Sequence, residues 1–326
     1  MIRLLPIDAE TYEPSGIRSG DRVWTETNCY VDLWIELLHS RGLEPRASLA
    51  FTLGLDFEGD QFTFFKFPHR DLRALYGIDV QELNIWRGLV MHAVEQCGYG
   101  RVLMPEVDSF YLPDTAGVSY RNDHAKTTIG IVSIDPERHT LRYFHGRGLY
   151  ELSGNDFAGV FRLGEHAAYA GVLPPYTEIA KMDAVQRLDT PALVDRALAL
   201  TRLHLATAPS VNPIAQYAAR LVDDLAWLRD ASLGSFHQYA FATVRQAGAC
   251  FGLTTAFLQW LDGNGATGLR DAAVAFDRVS VAAKAVELKL ARMVRLEREA
   301  DVTADVTEMV TAWDEGMSRL TDRFAR

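Results

Sequence analysis

Cys29 is the side chain in this sequence that is best placed to act as a nucleophile. It follows Asn28, a residue type that caps helix N-termini, and it precedes an amphipathic run that ends at Gly42. A thiol at a helix N-terminus lies at the positive end of the helix dipole, and the free N–H groups there can hold an oxyanion. The alternative is an inert structural cysteine, because most free cysteines are buried.

A cysteine nucleophile needs an imidazole as its base and a third group that orients this imidazole. Of the nine histidines, His124 opens a run of β-forming residues and His145 closes the next one, after a turn at Asp135-Pro136. Antiparallel pairing of the two runs would bring both imidazoles to one sheet edge. We predict His124 as the base and His145 as a candidate orienting group. The alternative for His124 is a structural histidine at the start of a strand.

Asp108 and Asp135 are rival candidates for the orienting role. The turn before Pro136 is a sufficient structural explanation for Asp135. Asp108 lies in the otherwise apolar run 107–113, where a buried carboxylate needs a partner. It could orient the base, bind a substrate amine or face solvent.

Composition restricts the classes of function. The net charge is −10, and residues 1–180 hold most of it, with 16 Lys and Arg against 25 Asp and Glu (net −9), whereas residues 181–326 are nearly balanced. This asymmetry argues against nucleic acid as a ligand and favours an amine-bearing substrate, although solubility alone would also explain it. We expect no membrane association, because no apolar stretch is long enough to span a bilayer. Three widely spaced cysteines and no signal peptide predict a cytoplasmic protein without a metal site.

The elements predict an α+β domain followed by an all-α helical bundle. Helices are expected over 28–41 and 80–96, and a hairpin over 49–67, in a domain with a mainly antiparallel sheet. A linker at 171–175 separates domain 1–175 from domain 185–326. About five helices are expected in the second domain, including 235–261, 268–298 and 303–324.

The order of these motifs resembles a known family. Asn28-Cys29 at a helix start, the run 107–113 and Asp123-His124 before a strand are similar to the N-terminal domain of the butirosin biosynthesis protein H family. Those proteins are papain-like cysteine acyltransferases that move an aminoacyl group from a carrier-protein thioester to an amine. The whole chain more closely resembles an uncharacterised bacterial family with the same front half and a helical C-terminal half, often encoded near amino acid:carrier-protein ligases.

The resemblance implies a papain-like fold in which Cys29 is the nucleophile and His124 the base. It also implies an acyl or aminoacyl carrier protein and a small-molecule amine as partners. No cofactor would be bound, and phosphopantetheine would enter as part of the substrate. The relatives usually place an aspartate where this chain has His145, which leaves the third catalytic role open.

Two further groups of residues are candidates for binding. Lys289, Arg292 and Arg295 recur every three residues on a predicted helix and could dock an acidic carrier protein; the alternative is an ordinary solvated face. Candidate substrate-binding residues are Asn28, Arg245 and Gln246.

Three functions remain open from the sequence. The leading one is an aminoacyl transferase that works through an acyl-enzyme. A thioesterase or amidase would use the same Cys29–His124 dyad with water as the acceptor. A non-catalytic module that binds carrier proteins would keep the fold without the chemistry.

Overall fold

A computed structural model describes residues 1–18, 24, 27–167, 172–296 and 299–325 of the chain. These residues form two compact units, each assembled from several segments. The first unit comprises Met1–Ser15, Asn28–Pro45 and His69–Arg187, and the second comprises Gly16–Thr27, Arg46–Pro68 and Leu188–Arg326. The predicted linker at 171–175 lies within the first unit, and its first residue, Gly171, is outside the described residues.

The first unit has the predicted α+β composition. Its α-helices are α1 (Cys29–Ser40), α2 (His69–Tyr76), α3 (Leu89–Gly98) and α4 (Asn155–Phe161). Its strands are β1 (Ile2–Arg3), β2 (Asp79–Glu82), β3 (Val102–Asp108), β4 (Lys126–Thr128), β5 (Gly130–Asp135), β6 (Thr140–His145), β7 (Gly148–Ser153) and β8 (Thr177–Lys181).

The strands form one sheet, and each pairing in the described residues is antiparallel, as predicted. The order is β2-β8-β3-β5-β6-β7, with β4 added to β3 and β1 added to β5. Helix α1 packs on one face of this sheet, where Gly130 lies against Leu33. Helices α3 and α4 pack on the opposite face, in a core that contains Leu103, Ile131 and Tyr143.

Helix α1 begins and ends where the sequence predicts. The side chain of Asn28 accepts a hydrogen bond from the Val31 N–H at 2.9 Å, which satisfies one of the free donors of the first turn. Gly42, with φ +66°, follows the helix in the left-handed conformation that glycine adopts without strain. Every residue of this helix from 30 to 38 is buried, so α1 has no solvent-exposed face over this range.

The hairpin predicted over 49–67 is present only as a turn, where Phe57 and Phe62 form an isolated antiparallel bridge. Its two strands are wrong, and a 3-10 helix, Pro45–Gly54, takes the place of the first. The aromatic residues that suggested strands pack against one another instead, and the ring centroids of Phe51 and Phe67 are 4.8 Å apart. The β-forming residue types in this segment therefore reflect the burial of aromatic rings and not the pairing of strands.

The predicted helix over 80–96 is wrong in its first half. Residues Asp79–Glu82 form β2, in which Val80 pairs with Ala180 of β8. Helix α3 starts only at Leu89, after Gly88. A glycine inside a helix costs about 1 kcal/mol, and pairing with β8 offers the preceding residues an alternative set of backbone hydrogen bonds.

The second unit is helical, as predicted. Its α-helices are α5 (Thr190–Ala206), α6 (Pro213–Arg229), α7 (Leu233–Ala242), α8 (Val244–Gly263), α9 (Arg270–Leu296) and α10 (Thr303–Phe324). The helix predicted over 235–261 is divided into two, because Thr243 has φ −119° and ψ −107°, outside the helical region. None of the described helices is long and apolar enough to cross a membrane.

Small residues in α8 bring α9 close. Ser280 of α9 donates a hydrogen bond to the carbonyl of Gly248 at 2.8 Å, and the indole N–H of Trp24 donates to the carbonyl of Ser280 at 3.0 Å. One turn away, the rings of Phe251 and Phe276 stack with centroids 5.4 Å apart. The close approach of the Trp24 ring to the backbone of α8 requires glycine at position 248, since a Cβ there would overlap this ring.

We expect Gly130→Ala to destabilise the first unit. An added Cβ would lie 2.5 Å from Leu33 Cδ1, and overpacking of a core costs about 1–3 kcal/mol. Urea unfolding followed by circular dichroism measures the loss. Gly98→Ala is the matched control, because its Cβ would meet Ile2 Cδ1 only at 4.0 Å. Equal stability of the two variants would contradict the close packing of α1 on the sheet.

Candidate functional site

The thiol of Cys29 lies on the face of the sheet that α1 covers. Cys29 is the first residue of α1 and is partly exposed. Its Sγ is 3.9 Å from the hydroxyl oxygen of Thr128 in β4. The side chain of Asn28 caps the helix through Val31, so its amide oxygen already has a structural use. The predicted position of the thiol at a helix N-terminus is therefore present in the structure.

Asp108 and His124 form an imidazole–carboxylate pair. His124 Nδ1 lies 2.6 Å from Asp108 Oδ2, and the other carboxylate oxygen accepts the Phe110 N–H at 3.0 Å. The Phe110 ring stacks on the imidazole with centroids 4.5 Å apart and an interplanar angle of 11°. The His124 side chain remains 66% exposed. Of the predicted orienting candidates, Asp108 is the one that the structure brings to His124.

Strand register places this pair on the same face of the sheet as the thiol. Glu106 of β3 lies opposite Thr128, and Asp108 lies opposite Lys126. Directly opposed residues share a face, as do alternate residues of one strand, so Asp108 and Thr128 point to the same side. His124 precedes Thr128 by four residues, which at ~3.3 Å each corresponds to about 13 Å in extended chain.

Within the described ranges, the hydrogen-bond partner of the thiol is Thr128 and that of the imidazole is Asp108. The structure therefore aligns Cys29 and His124 on one face without a direct contact between them.

A cavity of about 340 Å³ opens beside the imidazole–carboxylate pair. Its polar wall includes Glu106, Asp108, His124, Lys126 and Tyr176. Glu106 binds Lys126 at 2.7 Å, so one carboxylate of this wall is already neutralised. A second cavity of about 320 Å³ shares Asp108 with the first and is lined mainly by apolar side chains. Together they offer room for a small molecule next to His124.

His145 belongs to a different cluster. Its Nδ1 lies 2.5 Å from Asp114 Oδ2 and its Nε2 lies 2.8 Å from the Thr127 hydroxyl. The Tyr143 hydroxyl donates to the other oxygen of Asp114 at 2.5 Å, and burial together with this carboxylate raises the pKa of Tyr143. Asp114 is almost completely buried. The sequence did not indicate a role for Asp114, because that role depends on contacts with residues about thirty positions away.

The His145 cluster lies on the far face of the sheet. Thr127 pairs with Val107, whose side chain is part of the core beneath α3 and α4. Thr127 and Thr128 are neighbours in one strand, so their side chains point to opposite faces. The structure therefore does not bring His145 together with His124 or Cys29. In the structure, His145 forms hydrogen bonds with Thr127 and Asp114.

A third imidazole–carboxylate pair, which was not predicted from the sequence, contacts Tyr30, the residue after Cys29. Glu178 of β8 is 2% exposed. It accepts hydrogen bonds from the hydroxyls of Tyr30 and Tyr176, each at 2.7 Å. His69 Nε2 lies 3.4 Å from Glu178 and 3.1 Å from the Tyr30 hydroxyl. We call these four residues the Glu178 cluster. In the sequence, the one indication of this cluster is a glutamate in the short run that forms the buried strand β8.

Burial by itself raises the pKa of Glu178, but the bonds from His69, Tyr176 and Tyr30 outweigh it and hold the pKa below its usual range. Glu178 is therefore an ionised, buried carboxylate at neutral pH. Such a group persists only where donors compensate its lost hydration.

The remaining predicted residues belong to the second unit. Gln246 is 3% exposed, and its side-chain oxygen has no hydrogen-bond partner in the described part of the chain; Arg245 is its half-buried neighbour. Lys289 pairs with Asp305 at 2.5 Å. Arg292 and Arg295 are exposed and line the same surface of α9. Across the described ranges, no group of three or more His, Cys, Asp or Glu could hold a metal ion.

We expect Cys29 to be the reactive thiol of the folded protein. Burial raises the pKa of Cys97 to about 12 and also raises that of Cys250, so both remain protonated at neutral pH. Iodoacetamide should modify Cys29 alone, and peptide mass spectrometry locates the adduct. Labelling in denaturant is the control and should reach all three cysteines. Rapid modification of Cys97 or Cys250 in the folded protein would contradict this assignment.

Comparison with protein families matches the two halves of the chain separately. Residues 13–182 match the DUF1839 N-terminal domain and residues 190–322 match the DUF1839 C-terminal domain. No curated protein matches the chain. The predicted resemblance to an uncharacterised family with a helical second half is confirmed, whereas the likeness to butirosin biosynthesis protein H stays a prediction. With both of its domains matched in order, the chain belongs to the DUF1839 family.

Proposed function

We propose that the first unit is a cysteine-dependent acyltransferase that moves an aminoacyl group from a carrier-protein thioester to a small-molecule amine. One observation supports this most: a partly exposed thiol at a helix N-terminus shares a sheet face with the His124–Asp108 pair. A nucleophile, a base and an orienting carboxylate are the parts that acyl transfer needs. The motif resemblance described above supports the carrier-bound substrate, and the absence of paired cysteines fits a cytoplasmic setting.

The first half-reaction acylates the enzyme. His124 removes the proton from the Cys29 thiol, and the resulting thiolate attacks the thioester carbonyl. Asp108 stabilises the imidazolium through the Nδ1 contact. The tetrahedral intermediate collapses by breaking the bond to the phosphopantetheine sulfur, which leaves with the proton from His124. Exchange of one thioester for another is nearly balanced in energy, so positioning and an oxyanion donor, such as the N–H of Cys29, supply most of the catalysis.

This mechanism requires His124 to approach Cys29 when substrate binds. His124 lies before the first residue of β4, and its side chain is largely exposed. Catalytic hydrogen bonds often form only in the substrate complex. We therefore assign the approach to the short segment that precedes β4.

A second candidate function is a non-catalytic module that binds carrier proteins. The observation in its favour is that a threonine hydroxyl, and not an imidazole, contacts the Cys29 thiol. A thioesterase or amidase would share the first half-reaction and differ only in using water as the acceptor. The first half-reaction therefore separates either enzyme from the binding module.

We expect an aminoacyl-pantetheine thioester to leave an acyl adduct on Cys29. Intact-protein mass spectrometry detects it, and Cys29→Ala should show none. His124→Gln should slow adduct formation about 10²-fold or more, as loss of a general base does. His237→Gln is the control, because His237 is an exposed histidine of the second unit. If no aminoacyl thioester in a panel of twenty leaves an adduct, the binding module becomes the better description.

The exposed arginines of α9 are the proposed docking site for the acidic carrier protein. Arg292→Glu with Arg295→Glu should slow acylation by a carrier-bound substrate at low salt, because electrostatic steering raises the encounter rate. Acylation by free aminoacyl-pantetheine is the internal control and should not change. Stopped reactions at two salt concentrations measure both rates. An equal effect on both substrates would contradict docking at this surface.

A further inference from the structure

The Glu178 cluster has a defined arrangement of protons. Glu178 is ionised and can only accept hydrogen bonds. The Tyr30 hydroxyl gives its proton to this carboxylate, so its oxygen is also an acceptor towards His69. Both partners of His69 Nε2 therefore require a donor, and the ring carries its proton on Nε2. In the neutral ring this leaves Nδ1 with a free lone pair.

The free nitrogen of His69 is available to a substrate. Nδ1 has no hydrogen-bond partner among the residues that the structure describes, and the His69 side chain is 43% exposed. A carboxylate that fixes one ring nitrogen while the other faces solvent is the arrangement of a general base. Among the described residues of the first unit, His124–Asp108 and His69–Glu178 both have this arrangement.

The cluster lies on the same sheet face as the thiol. Tyr30 directly follows Cys29 in the first turn of α1. Glu178 lies opposite Met104 in β3, two residues from Glu106, whose partner in β4 is Thr128. Thr128, which contacts the thiol, and Glu178 therefore lie on the same face of the sheet, on the two sides of β3.

The cavity beside His124 reaches the same cluster. Tyr176, which donates to Glu178, shares the wall of this cavity with His124 and Asp108. An amine that enters it meets the Asp108 carboxylate and the aromatic ring of Tyr176, and both attract an ammonium group. A protonated amine cannot attack a thioester, so an acceptor held there needs a base that removes its proton.

We propose that His69 is the general base of the second half-reaction and accepts the proton of the acceptor amine. This inference rests on the proposed acyltransferase function. An acceptor that arrives as an ammonium ion first loses one proton to His69 Nδ1, which releases it to solvent. The neutral amine nitrogen then attacks the acyl carbon of the Cys29 thioester while a second N–H proton moves to His69 Nδ1. The carbon–sulfur bond then breaks, an amide leaves, and Cys29 is released as thiolate. His69 returns its proton to solvent or to the thiolate.

The experiment separates the two half-reactions. Wild type and His69→Gln are first acylated on Cys29 with an aminoacyl-pantetheine thioester, and the loss of adduct is then followed after benzylamine is added. His69→Gln should acquire the adduct at the wild-type rate and lose it to benzylamine about 10²-fold more slowly. Hydroxylamine, which is unprotonated at neutral pH, should remove the adduct from both proteins at similar rates. His237→Gln is the matched control and should behave as wild type.

The outcomes distinguish this inference from the proposed function. An adduct that forms in both proteins and is lost to benzylamine at equal rates overturns the role of His69 and leaves the acyl-enzyme intact. Failure of folded His69→Gln to acquire the adduct also overturns it, because His69 would then serve Cys29 itself. If wild type acquires no adduct, the acyltransferase proposal and this inference fall together. Tyr30→Phe, which removes one partner of Nε2, should slow the benzylamine step and spare acylation.

Discussion

Close packing of α1 against the sheet is the constraint on which the candidate site depends. The absence of a side chain at Gly130 lets Leu33 approach the strand, and the Asn28 cap fixes the residue at which the helix begins. Together they determine where the first turn meets the sheet. Cys29 consequently faces Thr128, and Tyr30 reaches Glu178. A helix displaced by one residue would exchange these contacts, since successive helical residues point about 100° apart.

Local signals in the sequence predicted the helices and strands whose conformation depends mainly on residues close together in the chain. The start of α1 follows from its cap and its apolar periodicity, and the antiparallel sheet follows from β-forming runs and turns. The aromatic run before Phe67 failed as a strand prediction because its rings are used for packing. Strand β2 was missed because its pairing partner, β8, lies almost a hundred residues away.

The candidate site also combines features that local sequence signals predict with features that depend on contacts between distant residues. Cys29 at the helix start was visible in the sequence, and so was Asp108 as a carboxylate that needed a partner. That this partner is His124 depends on the β3–β4 register, which no local pattern encodes. Glu178 and His69 were missed for the same reason, because their proximity to Tyr30 is set by a strand and a helix distant in sequence. His145 looked equivalent to His124, but the alternation of side chains along the strands places it on the far face.

Strand β4 links the two faces of the sheet over three residues. Thr127 and Thr128 are covalent neighbours, one hydrogen-bonded to the half-buried His145 and the other in contact with the thiol. Any repacking around Asp114 that moves Thr127 must therefore also move Thr128. The environment of the thiol is thus sensitive to substitutions in a core that it never touches, and variation on the far side of the sheet can tune the reactivity of Cys29 while every residue around the sulfur stays the same.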